Sequence, residues 1–205
     1  MNKLIEFVKK ELSTDFSGHN YQHIERVVNN AKYLIKHEGG NKKIILTACY
    51  LHDLIDHKLF ENIEEQITKI RDFLVDNNYI PSQIEEIIDI IKRVSYSKGN
   101  TETVDNLNLE IVRDADRLDA LGAIGIIRCI EYGNSKHRLF YEEENLDRSN
   151  NEVTFKESSN TSLSHFYDKL LKLKDLMHTY TAKKLAEERH EFLLSFLDEF
   201  YKEIK

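Results

Sequence analysis

The chain has 205 residues, a formal net charge of −7, 40% hydrophobic residues, one proline and seven glycines. That length can bury a substantial core without disulfides or a structural metal, and the acidic balance argues against broad, stable nucleic-acid binding driven by phosphate neutralisation, while leaving room for a local basic pocket. No uninterrupted apolar run approaches the roughly 20 residues of a bilayer span, and Met1 to Leu12 lacks a signal peptide's apolar segment. The expectation is a cytoplasmic protein without a membrane partner, in which Cys49 and Cys129 are buried free thiols.

The scarcity of glycine and proline suits a mainly helical chain. Leu4, Ile5, Val8 and Leu12 form a first apolar stripe at helical spacing. Ile24, Val27, Val28, Ala31, Leu34 and Ile35 form a second, stopped by Gly39-Gly40, and Ile44, Ala48, Leu51 and Ile55 a third. A fourth helix is expected around Asn62 to Asn77. A fifth starts at Pro81, with Ser82 and Glu85 at capping-box spacing ahead of Ile84, Ile87, Ile88 and Ile91. Asn108 to Tyr132 reads as one further helix, where Gly122 and Gly125 cost about 1 kcal/mol each against alanine and so point to close packing. Gly133 to Thr161 is polar and reads as a long loop or partly disordered flap. From Ser162 to Ile204 helical spacing returns. With no internal repeat or linker, the fold class is all-α, in a single domain over residues 1–205 with a long polar loop before the C-terminal helices (about 162–204).

Within this pattern, Cys49-Tyr50-Leu51-His52-Asp53-Leu54-Ile55-Asp56-His57 sets a His-Asp pair in an apolar segment, where ionisable groups are costly unless paired or metal-bound. His23 falls four residues before Val27, and Asp116 four after Val112, so each would face the interior from its own helix. Two imidazoles and two carboxylates balance the charge of one divalent ion. Nitrogen and oxygen ligands without thiolate suit manganese, iron, cobalt or magnesium better than a structural zinc. Such an ion can lower the pKa of bound water and polarise a phosphoryl oxygen. Taken singly, each residue has an ordinary reading: His23 as a satisfied core or surface histidine, the His-Asp pair as coincidence, and Asp116 as a salt bridge to Arg113 or Arg117.

The combination resembles the HD-domain family of metal-dependent phosphohydrolases, which carries a His, a His-Asp doublet and an Asp on successive helices. The matching positions are His23, His52, Asp53 and Asp116. Their context is similar too: His23-Ile24-Glu25-Arg26-Val27, and Asp114-Ala115-Asp116-Arg117-Leu118-Asp119-Ala120-Leu121-Gly122-Ala123-Ile124-Gly125. The match extends through His165-Phe166-Tyr167-Asp168-Lys169-Leu170-Leu171 and Leu173 to Met177. These segments look like a bacterial subgroup of small, single-domain HD hydrolases, several described as nucleotide pyrophosphohydrolases. Where many relatives have His-Asp just upstream of the first ligand, this chain has His19-Asn20; the four ligands are untouched by that difference.

The resemblance implies a hydrolase with its metal-site core at about residues 19–132. Its cofactor would be a divalent ion, Mn2+ or Mg2+ first, with Fe2+, Co2+ or Ni2+ as alternatives. The implied reaction converts nucleoside triphosphates to monophosphate and pyrophosphate through attack by a metal-bound hydroxide. Asp53 would act at the metal and Asp56 would steer the nucleophile or its proton. His19, Lys58, Arg117 and Lys169 are candidates for contacting substrate, with Lys98 a further candidate for its phosphates. His57 and Asp119 are candidates for supporting the ligands, Asp119 through a ligand histidine's ring N–H. Monophosphate or phosphodiester hydrolysis is the alternative within the enzyme class. A non-catalytic module binding nucleotide and metal is a second reading, and a helical adaptor, indifferent to His52→Ala, a third. Exposed apolar residues on paired helices would suit a homodimer.

Overall fold

Every residue from Ile44 to Leu51 is buried, and the helix that carries them, α3 (Lys42–Leu51), is the axis of its part of the molecule. A computed structural model describes residues 2–12, 21–57, 59–94, 105–148 and 153–205. His19, Asn20, Lys58 and Lys98 lie outside the described residues. The contacts group the chain into two compact units, residues 1–116 with 178–182, and residues 117–177 with 183–205.

The first unit is helical throughout its described residues. Helices α1 (Asn2–Glu11), α2 (Tyr21–Glu38) and α5 (Pro81–Val94) pack on α3, while α4 (Ile63–Asp76) packs on α5. The apolar stripes meet as the spacing predicts: Ile24, Val27, Val28, Ala31 and Leu34 of α2 are at most 1% exposed, as are Ile70 and Leu74 of α4 and Ile87 and Ile90 of α5. Asn41 starts α3 by accepting from the backbone N–H groups of Lys43 and Ile44, at 3.1 and 3.3 Å. A helix so apolar on every side has no solvent face, so the residues directly after it are also delivered to the interior. Those residues, His52–Ile55, wind into a single 3-10 turn rather than the α-helical continuation the spacing suggested. The tighter winding brings the Asp56 N–H onto the Asp53 carbonyl, 3.1 Å away.

The start of α5 also differs from expectation. Pro81 occupies the first helical position, so Ile80 is the preceding cap. The reciprocal side chain is Gln83, which accepts from the Ile80 N–H at 3.4 Å. Glu85 instead pairs with Arg71 across to α4, at 2.8 Å.

The helix expected over 108–132 is two helices, α6 (Leu107–Leu118) and α7 (Gly122–Ser135). The break is local. Gly122 has φ +66°, a left-handed conformation that disfavours any side chain, and a Cβ on Gly125 would lie 2.3 Å from the Ala120 carbonyl oxygen. The two glycines therefore serve a sharp corner as well as close packing.

In the second unit, the polar stretch after α7 has no α-helix among its described residues until α8 (Ser162–Asp168). It is nevertheless anchored. Strands β1 (Leu146–Asp147) and β2 (Thr154–Phe155) pair antiparallel, Leu146 opposite Phe155. Leu146 and Val153 are buried, and Phe140 sets its ring edge-on against Phe166, Phe196 and Phe200. These anchors are few and irregularly spaced, which is why no periodicity marks them. The C-terminal helical pattern resolves into α8, a 3-10 segment (Leu170–Leu176) and α9 (Tyr180–Glu203). Cys49 and Cys129 are both free and buried. Among the described residues no helix is long and apolar enough to cross a membrane.

Candidate metal centre

Three successive pieces of the first unit deliver four side chains to one point. His23 comes from the first turn of α2, His52 and Asp53 from the 3-10 turn after α3, and Asp116 from the last turn of α6. His23 Nε2 lies 3.4 Å from Asp53 Oδ2 and 3.5 Å from Asp116 Oδ1. His52 Nε2 lies 3.2 Å from Asp53 Oδ1 and 3.7 Å from the same Asp116 oxygen. Ligand atoms of His23, His52 and Asp53 all fall within 4.8 Å of one another.

These separations are those expected of ligand atoms around one shared cation. Metal–ligand bonds of about 2.1 Å put neighbouring ligand atoms roughly 3.0 Å apart in an octahedron and roughly 3.4 Å in a tetrahedron. The orientation of His52 supports the same reading. Its Nδ1 lies 2.8 Å from the Cys49 carbonyl oxygen, which can only accept, so Nδ1 carries the proton. Nε2 is then the nitrogen aimed at the carboxylates, able to coordinate once any proton on it has left, and it is buried without a hydrogen-bond partner of acceptable geometry. A buried polar atom left this way is costly, and a bound divalent ion would satisfy it. The residues present therefore fit the group.

Electrostatics bind the cluster tightly. Burial opposes a charge on His52, but Asp53 and then Asp116 outweigh it and push the imidazole's pKa up to about 10. Burial alone would raise Asp116; hydrogen-bonding and charge interactions with His23 and His52 instead hold its carboxyl well below the usual range. The nearby Cys49 thiol is pushed upward, first by burial and then by the charge of Asp116, so it stays neutral and contributes no thiolate. Cys129, raised to about 11 chiefly by burial, is likewise a neutral thiol.

The other singled-out residues divide clearly. Asp56 ends the 3-10 turn in extended conformation, half-buried, and its carbonyl accepts from the N–H groups of Leu59 and Phe60 at 3.0 Å. His57 is exposed. Arg113 is buried, with Nε donating to the Arg93 carbonyl at 3.1 Å. Arg117 is only 4% exposed, and its Nη1 donates to the Leu176 carbonyl, which leaves little guanidinium surface for a phosphate. Lys169 is half-buried and follows α8, its N–H on the His165 carbonyl. Asp119, a candidate support for a ligand histidine, forms an ion pair with Arg128 at 2.9 Å, buried on the Asp119 side.

Sequence reasoning missed the Cys49 carbonyl, because a backbone acceptor has no residue-type signature. It also missed Asn30, whose Nδ2 donates to the Ala115 carbonyl at 3.0 Å, and Asp114, a fully buried carboxylate. Asn30 carried a usable signal, since it comes two helical turns after His23 on the same face.

Residues 20–121, which span all four side chains, match the HD-domain family model. The chain is 35% identical to the uncharacterized protein YpgQ of Bacillus subtilis over 201 residues, covering 97% of this chain and 90% of that one. The crystal structure of YpgQ in complex with ADP aligns with a TM-score of 0.79 at 33% identity, over 99% of this chain and 97% of that one. An HD-superfamily hydrolase from Bacillus thuringiensis aligns with a TM-score of 0.78 at 40% identity, over 98% and 95% of the two chains. The chain belongs to the HD-domain family of metal-dependent phosphohydrolases.

Proposed function

We propose that His23, His52, Asp53 and Asp116 hold one divalent ion and that the enzyme hydrolyses nucleoside triphosphates to monophosphate and pyrophosphate. The observation that carries the metal assignment is the convergence of two buried imidazole nitrogens and two carboxylates, with His52 Nε2 lacking an aligned hydrogen-bond partner. The nucleotide reading is supported by the ADP complex of YpgQ, a relative matched over nearly its whole length. Mixed nitrogen and oxygen donors without thiolate favour Mn2+ or Mg2+. When bound, the ion supplies Lewis acidity, lowering the pKa of a coordinated water and polarising a phosphoryl oxygen.

The chain's own residues do the rest. The Cys49 carbonyl holds the His52 ring in one tautomer. Asp53 lies within 3.4 Å of both imidazole nitrogens and thereby spans the site. Asp56, three residues beyond Asp53, takes the proton released by the attacking water. His19, Lys58 and Lys169 contact the substrate, the lysines balancing phosphate charge. Residues 1–205 act as one functional domain.

The test is a nucleoside triphosphate panel incubated with purified protein and either Mn2+ or Mg2+, with products resolved by chromatography. Monophosphate plus pyrophosphate is the expected outcome. Diphosphate plus inorganic phosphate would overturn the proposed cleavage position. Turnover of monophosphates or phosphodiesters alone would replace the substrate class.

A further inference from the structure

Among the four side chains at the metal centre, Asp116 is the one that packing fixes least. Its side chain is 28% exposed, against 1% for His23, 4% for His52 and 8% for Asp53. We infer that Asn30 and Asp114 are positioning residues that hold Asp116 at the metal by clamping the backbone of α6, an inference that rests on the proposed metal site.

Two contacts set the clamp, and they act from different directions. Asn30 sits on α2 two turns after His23, about 10.5 Å along the same face. Its side-chain N–H reaches the carbonyl of Ala115, the residue immediately before Asp116. Ala115 lies in the last turn of α6, where carbonyls run out of intrahelical donors. The Asn30 amide therefore supplies a donor there, and it ties the main chain bearing one ligand to the helix bearing another. Two residues correspond to about 200° around a helix, so Asp114 points away from the side that Asp116 presents to the imidazoles. Its carboxylate is fully buried and accepts at both oxygens. Oδ1 accepts from the His178 N–H at 2.8 Å, and Oδ2 accepts from the N–H and the hydroxyl of Thr179, both at 2.8 Å. Thr179 is itself fixed, because its hydroxyl oxygen accepts from the Ala182 N–H at 3.3 Å as α9 begins. A buried carboxylate with three donors is held in one place by charge-assisted bonds. With α6 gripped by Asp114 on one side and by Asn30 along its end, the half-buried Asp116 inherits a defined position through its backbone.

The test is titration of the full-length, metal-free protein with Mn2+ alone, following the signal of the free ion by electron paramagnetic resonance well below each variant's Tm. Asn30→Ala is expected to weaken Mn2+ binding 10- to 100-fold, the range typical of groups that orient metal ligands. Thr179→Val, which removes the hydroxyl bond to Asp114, is the milder second variant and is expected to weaken it about 10-fold. Two controls separate positioning from stability. Asn29→Ala, exposed on the same helix, leaves Kd within about twofold. Ile88→Val, in the core of α5, lowers Tm while leaving Kd unchanged. Binding abolished in His52→Ala but unaltered in both Asn30→Ala and Thr179→Val would overturn the clamp alone. Wild-type protein that binds no Mn2+ would overturn the metal reading and this inference together.

Discussion

Loading the site must expel a proton, and the structure says from where. Without a metal, Asp53 and Asp116 hold the His52 pKa at about 10, against a burial cost that works in the opposite direction. Below that pH His52 is charged, with protons on both nitrogens, and Nε2 cannot coordinate until its proton leaves. Asp116, held well below the ordinary carboxylate range, is already ionised near neutrality and adds no proton to the count. Metal affinity therefore rises with pH and falls as the solution is acidified. One coupled proton makes the change about tenfold per pH unit, so binding at pH 6 should be roughly 100-fold weaker than at pH 8. Isothermal calorimetry in buffers of different ionisation enthalpy measures the release directly, and His52 should contribute about one proton per ion bound at pH 7. A Kd unchanged between pH 6 and pH 8, with no proton released, would refute the reasoning.

Other residues separate chemistry from architecture. Asp56→Asn should lower kcat by about 10²- to 10⁴-fold while leaving Mn2+ affinity near the wild-type value; steady-state kinetics alongside a metal titration checks both. Asp119→Ala should reduce the unfolding free energy by about 3–5 kcal/mol, since it takes the buried carboxylate away from the partly buried Arg128 guanidinium. The exposure of Arg128 pulls the value toward the lower end of that range. Urea denaturation would read it, and a loss under 1 kcal/mol would show the pair to be energetically idle.

Much of this molecule is legible from residue type and spacing, and the less legible parts share a physical cause. The stripes on α2, α4 and α5 predict their buried faces because a long amphipathic helix has little choice about which side it hides. His23, His52, Asp53 and Asp116 are readable because imidazoles and carboxylates on apolar helix faces need a partner that hydrocarbon cannot provide. Backbone events leave fainter marks. The 3-10 turn at His52–Ile55 carries the same apolar pattern as an α-helix, and the corner at Gly122 looks like a helical interruption that packing alone could explain. Capping at α5 turns on one residue of register: once Pro81 is the first helical residue, Gln83 is the side chain that reaches back. Asp119 lies one turn beyond Asp116, yet its pairing with Arg128 depends on the break at the end of α6. The segment from 133 to 161 reads as loose because Phe140, Leu146 and Val153 anchor it without any repeat.

The convergence of four side chains on one ion is tested most directly by soaking crystals of the protein in Mn2+ and measuring anomalous scattering at a wavelength where manganese contributes. One peak per chain is expected, about 2.0–2.4 Å from Nε2 of His23, Nε2 of His52 and a carboxylate oxygen of each of Asp53 and Asp116. A peak lying elsewhere, or none at a concentration that supports turnover, would contradict it.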